Sequence, residues 1–151
     1  MAPAGLADVD LAAAEALAAE LAMPHVSGDF RELLADMRPD TADVGTSPAR
    51  HLDVVRTAIA AGARAVRCEK PIALGHGDAV AVTTETAGAE VVLTVNLQRR
   101  FDPVRTQAHE RIAQCEIGDV VTVEGHCPNL FDRGTHTLDL IPYHRPDTAA
   151  K

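Results

Sequence analysis

Ala65-Val66-Arg67-Cys68-Glu69-Lys70-Pro71 is the stretch on which the reading of this chain turns. Ala65 to Cys68 reads as a short strand. Glu69-Lys70-Pro71 closes it, with a charged pair followed by a residue that cannot continue a ladder. Working outward, the flanks repeat one rhythm. Upstream, Thr41 to Gly45 reads as a strand, Thr46-Ser47-Pro48 as a turn, and about Ala49 to Ala61 as a helix stopped by Gly62. Downstream, residues 77–87 read as a helix stopped by Gly88. Val91 to Val95 is an apolar run suited to a strand buried on both faces.

The N-terminal part follows the same alternation. Leu6 to Val9 is a weak strand. Asp10 caps a helix with Leu11, Leu17 and Leu21 on its apolar face, and Pro24 to Ser27 is a short extended piece. Asp29 caps a second helix whose stripe is Phe30, Leu33, Leu34 and Met37, and Pro39 ends it. Strand and helix alternating with short connections predict an α/β fold, a parallel sheet with helices on both faces. After Asn96 the rhythm changes. Asp102-Pro103 starts a helix reaching about Cys115, and Asp119 to Gly125 alternates as a strand. Gly134 to Leu140 starts a helix that Pro142 is expected to cut short. Two domains follow: residues 1–97, a partial dinucleotide-binding domain, and residues 98–151, the start of an α+β second domain.

Composition sets bounds. The 151 residues are 46% hydrophobic, enough for a core, but only 3% aromatic, so Leu, Val, Ile and Ala must fill it. A net charge of -8 offers no basic stripe for a phosphate backbone, so nucleic acid is not an expected partner. Cys68, Cys115 and Cys127 form no CxxC pair, which argues against a zinc cluster or disulfide frame and favours a reducing cytoplasm. No signal peptide or membrane span is read.

Taken together, Glu69-Lys70-Pro71, Asn96 with Arg99-Arg100-Phe101 and Pro103, Thr46-Ser47-Pro48 with His51, Asp8-Val9-Asp10, Glu116-Ile117-Gly118-Asp119-Val120, and Asp132 four residues before His136 resemble the Gfo/Idh/MocA family of NAD(P)-dependent oxidoreductases. The resemblance implies a Rossmann-like sheet and hydride transfer between a carbinol carbon of a sugar-like substrate and nicotinamide. It implies that Lys70 contacts the nicotinamide ribose and the reacting hydroxyl. Thr46, Ser47, Pro48, His51, Glu69 and Asn96 would lie along the cofactor. Asp8 could hold the adenosine ribose hydroxyls, which favours NAD over NADP. Arg99 and Arg100 could bind a polyhydroxylated or acidic substrate. His136 is the candidate general base, since imidazole ordinarily titrates near about 6.5. Asp132 would orient it or bind substrate.

The glycine-rich turn that such a fold places after its first strand is not found: Gly5 stands alone and the next glycine is Gly28. The sequence starts at what matches the second strand. In the order 3-2-1-4-5-6 the first strand lies between the second and the fourth, so an incomplete sheet with two edges facing a gap is expected. Three readings stand. The first is an oxidoreductase acting on a sugar-like alcohol. The second is a non-catalytic remnant, or a subunit that pairs with an intact relative or another copy through its open edges. The third is a metal-dependent lyase or isomerase built on His126, Asp132 and His136; no ligand spacing supports it, and no metal is expected.

Overall fold

The computed structural model describes residues 4–129 and 133–144. The chain divides into two compact units, Met1–Val95 and Asn96–Lys151.

In the first unit the predicted alternation holds. The order is β1 (Gly5–Ala7), α1 (Leu11–Glu20), β2 (His25–Ser27), α2 (Phe30–Met37), β3 (Thr41–Val44), α3 (His51–Ala60), β4 (Ala65–Cys68), α4 (His76–Gly88) and β5 (Val92–Val95). The local signals act as expected at several ends. Asp10 accepts from the Ala13 N–H at 3.1 Å and Asp29 from the Arg31 N–H at 2.8 Å, each satisfying a donor that the helix start leaves open. Gly62, at φ 98°, supplies the left-handed turn after α3.

Every strand pair is parallel, but the sheet is in two parts. β1 pairs with β2, and β3, β4 and β5 pair in that order. Among the described residues β1 and β3 do not pair with each other. The core lies on one face of the larger sheet. Val44, Val66 and Cys68 from its strands meet Val54, Val55 and Ala58 of α3, Val82 of α4 and Leu34 of α2. These branched or small side chains suit a parallel strand covered by helices, and they fill the core without a large aromatic. On the opposite face Asp43, Arg67 and Thr94 are exposed, and Arg67 pairs with Asp43 across the strands.

Five expectations are corrected here. The leucines of α1 do not form its buried face. Leu11, Leu17 and Leu21 are 44%, 43% and 48% exposed, and Ala14 and Ala18, one turn apart, are buried instead. α1 packs on β1 and β2 through these small residues, which allow close approach of helix to strand. β5 is not buried on both faces. Val92 and Thr94 face out because β5 ends the sheet and its outer face carries no helix among the described residues. Gly88 does not stop α4 but lies in its last turn, and the left-handed residue comes later, at Glu90 with φ 56°.

The second unit contains a short turn at Gln98–Phe101, α5 (Pro103–Ala113) and α6 (Thr135–His144). Asp102 caps α5 by accepting from the Val104 N–H at 3.0 Å, with Pro103 at the first helical position, as predicted. The fourth correction falls here: residues 119–125 form no strand. A strand must pair its backbone groups, and no described segment of this unit offers a ladder, so Val121 stays 81% exposed. Pro142 also fails to end α6, which runs through it to His144. The proline removes one hydrogen bond near the helix end, where the remaining turn is short.

Candidate active site

β3 and β4 end level. Val44 pairs with Cys68, and the Glu69 N–H donates to the Val44 carbonyl at 2.9 Å, extending the ladder by one rung. One step further lie the two turns singled out in the sequence, Thr46-Ser47-Pro48 after β3 and Glu69-Lys70-Pro71 after β4, on the same carboxyl edge. In an open parallel sheet this edge is where ligands bind. Glu69 and Lys70 are half-buried there, and the Lys70–Pro71 peptide is cis.

His51 begins α3 immediately behind the first turn and is 0% exposed. Its Nδ1 lies 2.8 Å from the Pro71 carbonyl oxygen and its Nε2 lies 2.9 Å from that of Thr46. The expected direct contact of His51 with a cofactor is therefore corrected: the ring sits beneath both turns with both nitrogens engaged.

Asp8 is exposed at the end of β1. Its carboxylate accepts from the Asp10 N–H at 2.9 Å, while Asp10 takes the helix-capping role, so Asp8 is not the cap of α1. Asp8 therefore retains a solvent-facing carboxylate suited to vicinal hydroxyls.

In the second unit, the Asn96 amide donates to the Gln98 side-chain oxygen at 2.9 Å. Arg99 is half-buried. Arg100 grips Asp139 of α6 with two bonds, 2.7 and 2.5 Å, and its guanidinium lies 5.4 Å from the centre of the Tyr143 ring. The bond to Asp139 raises the Arg100 pKa. The sequence missed Asp139, which has no motif around it; Arg100, expected on substrate, is tied by this pair to α6. His136 is buried on α6. Asp132 lies outside the described residues. Lys70 belongs to the first unit and His136 to the second. No group of three or more metal-capable side chains occurs among the described residues, and His126 of the metal reading is 89% exposed.

Two titrating groups give expected outcomes. Burial, aided by Glu69 and Asp43, pushes the Cys68 thiol up to about 12. A thiol reagent applied to folded protein at neutral pH is expected to modify the exposed Cys115 and Cys127 and to spare Cys68 until denaturant is added. His144 is held below the ordinary imidazole value of 6.5, first by burial, then by the charges of His109 and Arg105. The unfolded chain therefore binds this proton more readily than the folded one. The contribution to stability is complete above 6.5 and is lost as pH falls below it. Urea melts followed by the single tyrosine, Tyr143, which stacks on His109 at 4.3 Å, should show the second unit weakening on acidification. His144→Gln should flatten that slope.

Parallel strands joined by helices, with motif-bearing turns at their carboxyl ends, define a Rossmann-like α/β protein of the dinucleotide-binding class. The chain belongs to the Gfo/Idh/MocA family: residues 2–97 match the family described as an oxidoreductase family with an NAD-binding Rossmann fold. It is 36% identical over 139 residues, 92% of this chain and 42% of the other, to D-xylose 1-dehydrogenase (NADP(+)) 2 of Haloferax volcanii. It is 31% identical over 130 residues, 86% of this chain and 37% of the other, to scyllo-inositol 2-dehydrogenase (NAD(+)) of Bacillus subtilis. A crystal structure of an NAD-binding oxidoreductase from Klebsiella pneumoniae superposes with a TM-score of 0.76 at 29% identity, over 93% of this chain and 43% of the other. The chain thus spans less than half the length of these relatives. No described helix is long and apolar enough to cross a membrane.

Proposed function

We propose that this chain carries the nicotinamide-side turns and the proton-transfer residues of an NAD(P)-dependent dehydrogenase acting on a sugar-like or polyol alcohol. The observation that carries the reading is the level carboxyl edge of β3 and β4, with Thr46–Pro48 and Glu69–Pro71 side by side. These residues fit one flank of a dinucleotide site. Thr46, Ser47, Pro48, Glu69 and Asn96 would line the cofactor, and Asp8 would take the adenosine ribose hydroxyls, which favours NAD. A bound nicotinamide supplies the hydride acceptor. Lys70 would donate to the reacting oxygen and stabilise its alkoxide character. His136 would take the hydroxyl proton, with Asp132 orienting the ring. Arg99 is the remaining candidate for substrate hydroxyls or a carboxylate. A cytoplasmic setting and a homo-oligomer belong to the same reading.

The test is a titration of isotope-labelled chain with NAD+ to about 5 mM, above the affinity expected of a partial site. Amide resonances of Asp8, Thr46, Ser47 and Lys70 should move together. Perturbations scattered elsewhere, or none, would sink the reading.

One observation favours a second reading, a chain that works only with a partner strand. The sheet stands in two parts, with no pairing between β1 and β3 among the described residues, and the 151 residues hold no G-x-G-x-x-G turn. Co-expression with an intact relative separates the two: a stable hetero-complex supports the partner reading, and its failure to form leaves the first.

A further inference from the structure

The ring of His51 faces two acceptors. Both of its partners are backbone carbonyl oxygens, which have no proton to give. A neutral imidazole carries one N–H, so it can bond only one of them and would set a bare nitrogen lone pair against the other oxygen at under 3 Å. With the ring 0% exposed, no water can take over the unmet contact. We propose that His51 is a positioning residue that holds the Thr46 turn and the Lys70–Pro71 turn together from beneath, donating through both ring nitrogens to the two carbonyls.

The placement gives the clamp its purpose. Thr46 follows β3 and Pro71 follows β4, and β-ladder pairing ends at the bond from Glu69 to Val44. One step beyond that rung, the imidazole spans the two turns. It is anchored at the start of α3, whose next turn is set in the core by Val54 and Val55. A helix fixed in the core thereby sets the spacing of two turns on the sheet edge. The charged side chains of α3 and its neighbouring helices pair with one another, Arg31 and Arg50 with Asp53 and Arg56 with Glu85, and the ring's hydrogen-bond partners are carbonyls rather than carboxylates. The consequence for chemistry rests on the dehydrogenase reading above: the ring would set the distance between the cofactor-lining turn and the ammonium of Lys70 without touching either ligand.

The experiment uses the full chain, labelled with 13C and 15N and free of dinucleotide, at neutral pH. The His51 ring is expected to show a proton on each nitrogen, with one through-bond coupling to the Thr46 carbonyl and one to that of Pro71. A single ring N–H, or coupling to one carbonyl only, overturns the proposal. Amide hydrogen exchange supplies the second measurement. His51→Phe keeps a planar ring without donors and should speed exchange at residues 45–50 and 69–73 together, by about tenfold or more, the scale of a lost charge-assisted bond. His51→Gln, with a single amide donor group, should keep one turn protected and release the other. Unchanged exchange at both turns in the Phe variant would sink the clamp. If that variant does not fold, the spectrum of the unaltered chain decides. Neither measurement involves NAD, so failure of the clamp and failure of the cofactor reading are separately visible.

Discussion

Titrated with NAD+ or NADH, the 151-residue chain should bind with a dissociation constant near about 1 mM, roughly −4 kcal/mol. On the proposed reading, the turns at Thr46–Pro48 and Glu69–Pro71 would cover the nicotinamide side, and Asp8 the adenosine ribose. Between those ends lies the pyrophosphate, the most highly charged part of the ligand. A dinucleotide fold holds it with backbone N–H groups of a glycine-rich turn and the positive end of the following helix. No such turn occurs here, and each charge-assisted bond so forgone is worth about 1.5–3 kcal/mol. Calorimetric affinity at micromolar or tighter would show that this chain binds the cofactor by another route. The complementary outcome is a gain. A strand, a G-x-G-x-x-G turn and a helix fused ahead of β1 should seat the strand between β1 and β3. Affinity should then tighten by about a hundredfold or more, two to three such bonds regained. A fusion that folds but binds no better would refute the proposed place of the gap.

The second large effect concerns Lys70. In that fused form, Lys70→Met is expected to lower the turnover of a polyol substrate by about 10²–10³-fold while leaving NAD affinity within a few-fold. Methionine keeps the length and packing of the side chain and removes only the ammonium. The loss should therefore fall on the step in which the reacting oxygen gains negative charge, and removing one preorganised donor of that kind costs on this scale. NADH absorbance in single-turnover experiments separates that step from binding. Turnover unchanged in Lys70→Met would remove the lysine from the mechanism and leave it a strand-end cation. A parallel His136→Asn variant should lose most rate where the parent imidazole is free to accept the proton, and the parent-to-variant ratio should shrink towards low pH.

Much of the fold was legible in the sequence because its signals are local. Asp10, Asp29 and Asp102 cap helices through bonds to backbone only two or three residues away. Gly62 and Pro103 act through their own dihedral limits. Ala65–Cys68 was readable as a strand because Glu69-Lys70-Pro71 closes it. What failed was whatever depends on a distant neighbour. Leucine outranks alanine in any count of apolar residues, yet α1 buries Ala14 and Ala18, since close approach to β1 and β2 selects for small side chains. The alternating segment around Val121 and Val123 looks like a strand and forms none.

The same division runs through the candidate site. Lys70, Thr46 and Asp8 were proposed from motifs at strand ends, and each does follow a strand of the first unit. Asp139 was not found, because its only distinction is to meet Arg100 from 39 residues away. His51 was noticed for the wrong reason, as a ligand contact rather than a buried tie.

By itself, then, the sequence determined the order and type of the elements and the parallel sense of the first unit, since capping, turn and periodicity preferences act over a few residues. Only the tertiary structure decided which faces are buried, and that one imidazole joins the two turns, reaching Pro71 from 20 residues away along the chain. Those outcomes depend on which groups meet across space, and burial and hydrogen bonding between distant residues leave no fixed spacing in the sequence to read.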